Sequence, residues 1–158
     1  MAVYQVVTTP DPVLRAKAKP VTKINEGVFR VLDNMKDTLY AENGVGLAAP
    51  QIGISKRLVV IDTGDNYMEL INPEIIEKEG SEIDSEGCLS VPGLIGQVAR
   101  AEEVRVKALN RRGEEIEISG EGLLARAFQH EIDHLEGVLF IDKAVKISPI
   151  KKNAMEEK

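Results

Sequence analysis

The chain is 158 residues long, 43% hydrophobic and 29% charged, with a formal net charge of −6 at pH 7. That length suits one domain, which buries roughly 70% of its unfolded surface and so closes a proper core. The acidic balance disfavours nonspecific attraction to DNA or to an anionic membrane, and 4% aromatic residues without tryptophan leave little to stack on single-stranded nucleic acid.

In chain order, Asp11-Pro12 and Lys19-Pro20 confine the opening stretch to loops. From about Asn25 to Ala41 the pattern is helical. Val28, Leu32, Met35 and Leu39 make one apolar stripe, and Asn25 suits the N-cap. Strand-like runs follow at 57–62 (RLVVID), 68–72 (MELIN), 74–79 (EIIEKE), 103–110 (EVRVKALN) and 114–119 (EEIEIS). The last two alternate and are joined by Arg111-Arg112-Gly113, which predicts a hairpin. Before them, SEGCLSVPG (85–93) leads into a loop rich in Gly and Pro. A second helix is predicted from about Gly122 to Leu135, with Gly137 fitting its C-terminal cap. The closing KISPIKKNAMEEK is polar and expected to fray. Helix, strands and helix in separate blocks argue for an α+β fold. Antiparallel or mixed β-sheets are expected to pack around the C-terminal helix, with an amphipathic helix near the N-terminus. One domain is expected over 1–148, followed by a polar tail over 149–158.

No apolar run approaches the roughly 18 residues of a membrane span. The opening MAVYQVVTTPDP has neither the basic nor the apolar region of a secretory signal. Cys88 is the single cysteine and allows no internal disulfide, so the expected setting is cytoplasmic.

The chain's two histidines fall in QHEIDH (129–134) as an H-E-x-x-H motif. On a helix, His130 and His134 lie one turn apart on one face and reach a common ion. Glu131 sits about 100° round the helix, where it addresses a water on the metal rather than the metal itself. The bland alternative is a helix with two satisfied polar histidines. A third ligand is harder to place. In the extended pattern H-E-x-x-H-x-x-G-x-x-H, Gly137 is present but the last position is Phe140, which coordinates nothing. A downstream glutamate leaves only Glu156 and Glu157. Upstream stands Cys88, either a buried thiol or a ligand; a thiolate with two imidazoles leaves one tetrahedral position open, the catalytic arrangement.

Three stretches, GVGLAAPQ (44–51), EGCLS (86–90) and QHEIDH (129–134), together closely resemble the motifs of the peptide deformylases, in that family's order. The resemblance implies a metal-dependent hydrolase that removes the N-terminal formyl group from formyl-methionine of newly made polypeptides and releases formate. It makes Cys88 the third metal ligand beside His130 and His134. Water activated by the metal attacks the formyl carbon, and Glu131 takes a proton and passes it to the leaving amine. The side-chain amide of Gln51 and the backbone N–H of Leu89 are the implied donors to the developing oxyanion.

Substrate contacts are expected from Val45, Gly46, Gly87 and Leu89, pairing with the peptide as an added strand. Gly44 and Gly46 are read as room for that approach. Leu123, Ala127, Val45 and the carbon skeleton of His130 are candidates for the methionine pocket. Arg126 lies one turn before His130; either its stem lines the pocket with its head in water, or it pairs with an acid elsewhere. Glu86 and Arg100 resemble a family ion pair that steadies the cysteine loop, against a reading as two solvated charges.

The ligand set suits several metals. Resemblance favours Fe²⁺, with Zn²⁺, Ni²⁺ or Co²⁺ as substitutes. Expected partners are N-formylmethionyl nascent peptides, with the ribosome near the exit tunnel as a candidate; no DNA and no membrane partner are expected, and a monomer is the simplest state. The competing readings are a zinc endopeptidase with a ligand from the tail, and a structural metal protein.

Overall fold

The computed structural model describes residues 3–150. The amphipathic stripe forms α1 (Glu26–Ala41), and Asn25 caps it by accepting the Val28 N–H at 3.1 Å. Val28, Leu32, Met35 and Leu39 are all buried beneath it. Among the described residues there are eight strands, seven between this helix and the second one as the block order predicts, and one after it. β1 (Gly46–Ala48), β2 (Leu58–Asp62), β3 (Tyr67–Glu79), β6 (Glu103–Leu109) and β7 (Glu115–Glu121) form an antiparallel sheet in the order β1-β2-β3-β6-β7. β4 (Glu82–Cys88), β5 (Val91–Arg100) and β8 (Ala144–Pro149) form a second antiparallel sheet in the order β4-β5-β8.

The large sheet carries helices on both faces, and β2 shows why its sequence is apolar without a break. Leu58 and Val60 pack with α1, while Val59 and Ile61 pack against α2 (Gly122–Leu135) through Phe128, Ile132 and Leu135. A strand covered on both faces has no solvent side to leave polar. Each such fully buried aliphatic contributes roughly 1.5–3 kcal/mol. A third cluster of Leu14, Val91, Val98, Leu139 and Phe140 backs the small sheet, with Phe140 opening the short α3 (Phe140–Lys143).

The α+β expectation holds, and three local readings change. The runs 68–72 and 74–79 are one strand, kinked by a register shift between Ile71 and Glu74. Asn72 takes φ 53° there, a conformation asparagine tolerates, and its amide bonds both backbone groups of Val21. The cysteine stretch is a hairpin rather than a loop, with Cys88 paired to Val91 across its tip. Most of β4 is solvent-exposed, so it carries no apolar alternation to reveal it. Residues 146–149, expected to fray, pair with β5 as part of β8. The rest of the predicted tail, 151–158, lies outside the described residues.

Gly137 closes α2 with φ 77°, and a Cβ there would strike the backbone carbonyl of Arg15. Gly113, in the β6–β7 turn, has the same φ of 77° but its nearest neighbour, Ile24 Cδ1, is 3.8 Å away. Gly113→Ala is therefore expected to cost about 1–2 kcal/mol, the left-handed penalty alone. Gly137→Ala should cost clearly more, since backbone must also move; urea midpoints of the two variants measure the difference, and equal losses would contradict it.

Candidate active site

The helical spacing of α2 brings the two imidazoles together, with ring centroids 5.0 Å apart. The β4–β5 hairpin carries Cys88 to the same place, its Sγ 3.3 Å from His134 Nε2. One ligand atom from each of Cys88, His130 and His134 lies within 4.8 Å of the other two. Burial holds His134 well below the ordinary imidazole pKa, so it is neutral and free to donate a lone pair. His130 uses Nδ1 on Glu86 Oε1 at 2.9 Å, which leaves Nε2 for an ion, the usual orientation of a ligand histidine backed by a carboxylate. His134 Nδ1 is buried without a hydrogen-bond partner among the described residues. The donor set of one sulfur and two imidazole nitrogens fits a divalent transition metal.

Glu131 faces this cluster, with Oε2 4.0 Å from His130 Nε2 and Oε1 buried without a partner among the described residues. Burial pushes its carboxyl up to about 7, near the operating range of a general acid or base. Gly46 makes the seat for this side chain. A Cβ on Gly46 would stand 2.7 Å from Glu131 Oε2 and 2.8 Å from its Cγ, so the glycine is required by protein packing as well as by any peptide approach. Gln51 is buried; its Oε1 accepts the Ala48 N–H at 3.0 Å, and its Nε2 lies 3.6 Å from Cys88 Sγ and 3.2 Å from Ser90 Oγ.

Beneath the site Glu86 collects four hydrogen bonds. Arg100 donates twice, at 2.8 and 2.9 Å, Arg126 once at 2.6 Å, and His130 Nδ1 meets it at 2.9 Å. Burial alone would raise this carboxyl, but the bonds from Arg100 and His130 hold it well below the usual carboxylate range. Of the two readings open for Arg126, the second is the one observed: its guanidinium is paired, and it also donates to the carbonyls of Val98 and Glu82 at 2.9 and 2.8 Å. Arg100 reaches on to Asp133 at 2.6 Å, which Lys143 also contacts at 3.0 Å. Glu86 and Arg100 are accordingly a buried pair, not two solvated charges.

A cavity of about 440 Å³ opens over the cluster, large enough for a side chain and the backbone that carries it. Val45, Gly46, Gly87, Leu89, Leu123 and Ala127 all line it, as do Gln51, Cys88, His130 and Glu131. His134 lies below its floor, only 1% exposed. Gly44, read from the sequence as room for a peptide, also lines it, whereas Ser85 in the lining and Ser90 beneath it carry no distinguishing signal in the sequence. A wider depression of about 780 Å³ on β3, β6 and β7 is lined by charged side chains and contains no histidine or cysteine.

An α+β fold that seats a cysteine and an H-E-x-x-H helix around one point, beside a buried carboxylate, has the makings of a metallohydrolase. The Polypeptide deformylase family model matches residues 3–150. A peptide deformylase of Syntrophomonas wolfei is 62% identical over 146 residues, 92% of this chain and 96% of that protein. One of Desulfitobacterium hafniense is 64% identical over 148 residues, 94% and 99% of the two. Among solved structures, the Thermotoga maritima peptide deformylase superposes with a TM-score of 0.88 at 47% identity, covering 91% of this chain and 99% of that one. The Synechococcus elongatus peptide deformylase in complex with actinonin gives a TM-score of 0.88 at 42% identity, covering 90% and 79%. The chain belongs to the polypeptide deformylase family, hydrolases that remove the N-terminal formyl group from newly made polypeptides.

Glu86→Gln leaves two buried arginines short of their shared anion, and at pH 7 it is expected to cost about 3–5 kcal/mol. Because the folded-state pKa of Glu86 is depressed, its contribution is full above the unfolded value of 4.5 and is lost as pH falls through the folded value. Urea titrations of both proteins should therefore show the gap narrowing as pH falls below 4.5. A constant gap down to the acid transition would contradict the assignment.

Proposed function

We propose that this site hydrolyses the N-formyl group of formyl-methionyl peptides, with Cys88, His130 and His134 holding the metal ion and Glu131 moving the proton. The observation that supports this most directly is the convergence of one sulfur and two imidazoles within 4.8 Å, under a cavity that Glu131 also lines. When bound, a divalent ion supplies Lewis acidity that makes water nucleophilic near neutral pH. Glu131, buried and with a pKa raised to about 7, accepts the proton that the attacking water gives up and returns it to the leaving methionine nitrogen. As the formyl carbon becomes tetrahedral, negative charge grows on its oxygen. Gln51 Nε2–H and the Leu89 backbone N–H donate to that charge; one such donor typically lowers the barrier by roughly 2.7–4 kcal/mol.

The peptide lies extended between the Val45–Gly46 edge and the Gly87–Leu89 edge, where exposed backbone pairs with it as a strand. The methionine side chain enters between Val45, Leu123 and Ala127. Leu123 is 55% exposed and Val45 37%, so both have apolar surface to bury on binding. Arg126 lines the same cavity with its charge already paired to Glu86, so an apolar side chain meets its stem rather than a free cation.

Fe²⁺ is the working ion of this proposal, with Zn²⁺, Ni²⁺ and Co²⁺ as occupants of the same ligands, all being compatible with thiolate and imidazole. The setting proposed is the cytoplasm, where a thiol such as Cys88 stays reduced, and the enzyme acts there as a monomer on chains leaving the ribosome exit tunnel. No helix among the described residues is long and apolar enough to cross a membrane.

Formate release from formyl-Met-Ala-Ser tests the reading. Glu131→Ala should retain its metal and lose activity by about 10²–10⁴-fold; unimpaired turnover would exclude the carboxylate from proton transfer. Protein purified without oxygen and loaded with iron should turn over faster than the zinc form and decay on exposure to air, since iron and thiolate both oxidise. Equal rates for the two metals would remove the iron assignment.

A further inference from the structure

Ser90 has no task in the chemistry above, yet it is completely buried at the edge of the site. Its Oγ lies 3.2 Å from Gln51 Nε2. The other end of that amide is fixed by Ala48, whose backbone N–H donates to Oε1 at 3.0 Å. A backbone N–H requires an acceptor, so this contact settles which end of the Gln51 amide is oxygen and which is nitrogen. The nitrogen carries two hydrogens. Ser90 takes one, and the other remains on the Cys88 side, where Sγ stands 3.6 Å away.

We propose that Ser90 is a positioning residue for the formyl-oxygen donor: its hydroxyl accepts one Nε2 hydrogen of Gln51 and so aims the second at the reacting carbonyl. This rests on the deformylase reading of the site. Without Ser90 the amide would keep the bond at Oε1 and only a long contact from Nε2 to Cys88 Sγ at 3.6 Å, a weak restraint on a terminal torsion that is broad in glutamine. The shorter bond to Ser90, set against the one at Oε1, fixes its plane. The backbones of the two partners are tied as well. Val7 N–H donates to the Gln51 carbonyl at 2.7 Å and Thr9 N–H to the Ser90 carbonyl at 2.9 Å, so one short segment registers both residues from behind. With the main chain held this way, the Ser90 hydroxyl decides where the amide nitrogen points. Preorganised donors act through such aim, since a donor that must reorient during the reaction loses most of its advantage.

The test uses the full chain, metal-loaded, with Ser90→Ala, Gln51→Ala and the double variant. Ser90→Ala should lower kcat for formyl-Met-Ala-Ser roughly tenfold, with KM and metal content nearly unchanged, as for a donor that is misaimed rather than absent. In the Gln51→Ala background the same change should alter kcat by less than about twofold, because the two residues act as one unit. Independently of turnover, the Gln51 side-chain amide hydrogens, assigned by their loss in Gln51→Ala, should exchange with solvent roughly tenfold faster in Ser90→Ala. Additive kcat effects or unchanged exchange would overturn the proposal. Should the alanine variant lose cooperative unfolding, Ser90→Thr keeps the acceptor oxygen and is expected to stay within about threefold of wild-type kcat; a threonine variant that folds yet has lost tenfold or more in kcat would equally overturn it. If the wild type releases no formate, the deformylase reading fails, while the amide-exchange comparison still decides whether Ser90 holds Gln51.

Discussion

A carboxylate taken out of water costs several kcal/mol unless cations and hydrogen bonds replace its hydration. Glu86 meets that condition only where three elements coincide: its own strand β4, Arg100 at the end of β5, and Arg126 and His130 on α2. It stands two residues before Cys88, so the same interaction that stabilises the buried charge also sets the hairpin's sulfur against the helix's imidazoles. His130 is oriented by the bond to Glu86, and Arg126 extends the tie to the carbonyls of Glu82 and Val98. Removing Glu86 would leave the Arg100 and Arg126 guanidiniums without the anion they share, and this makes the arrangement cooperative rather than a sum of contacts.

The rest of the site follows from that anchoring. With α2 held, Glu131 falls where Gly46 leaves room for it, and the absence of a side chain at Gly46 becomes a packing requirement. Gln51 is bonded from the other side, by the Ala48 N–H at the end of β1 and by Ser90 at the tip of the hairpin. The two walls of the cavity therefore come from different sheets, and its floor from the helix. The apolar entrance at Val45 and Leu123 remains exposed, a surface suited to a partner that arrives with a side chain of its own.

Much of this was legible beforehand, for definite physical reasons. The helix α1 was readable because its buried stripe repeats every three to four residues, and α2 because its histidines and Gly137 mark both function and end. The motif residues that gather at the cavity were named from three short stretches. The hairpin β4–β5 was not visible as strands: its glycines and Pro92 mimic a loop, and β4 has too little buried surface to show alternation. Nor was the continuity of β3, where Asn72-Pro73 signals a break but produces a bulge. Long-range polar partners such as Arg126 with Glu86, or Ser90 with Gln51, leave no periodic trace and required coordinates.

The central claim is that a hairpin sulfur and two helix nitrogens close on a single cation. X-ray absorption on the zinc-loaded protein reads that shell directly. One sulfur at about 2.3 Å with two imidazole nitrogens at about 2.0–2.1 Å is the predicted result, the sulfur contribution vanishing in Cys88→Ser. A shell of nitrogen and oxygen alone in the unaltered protein would contradict it.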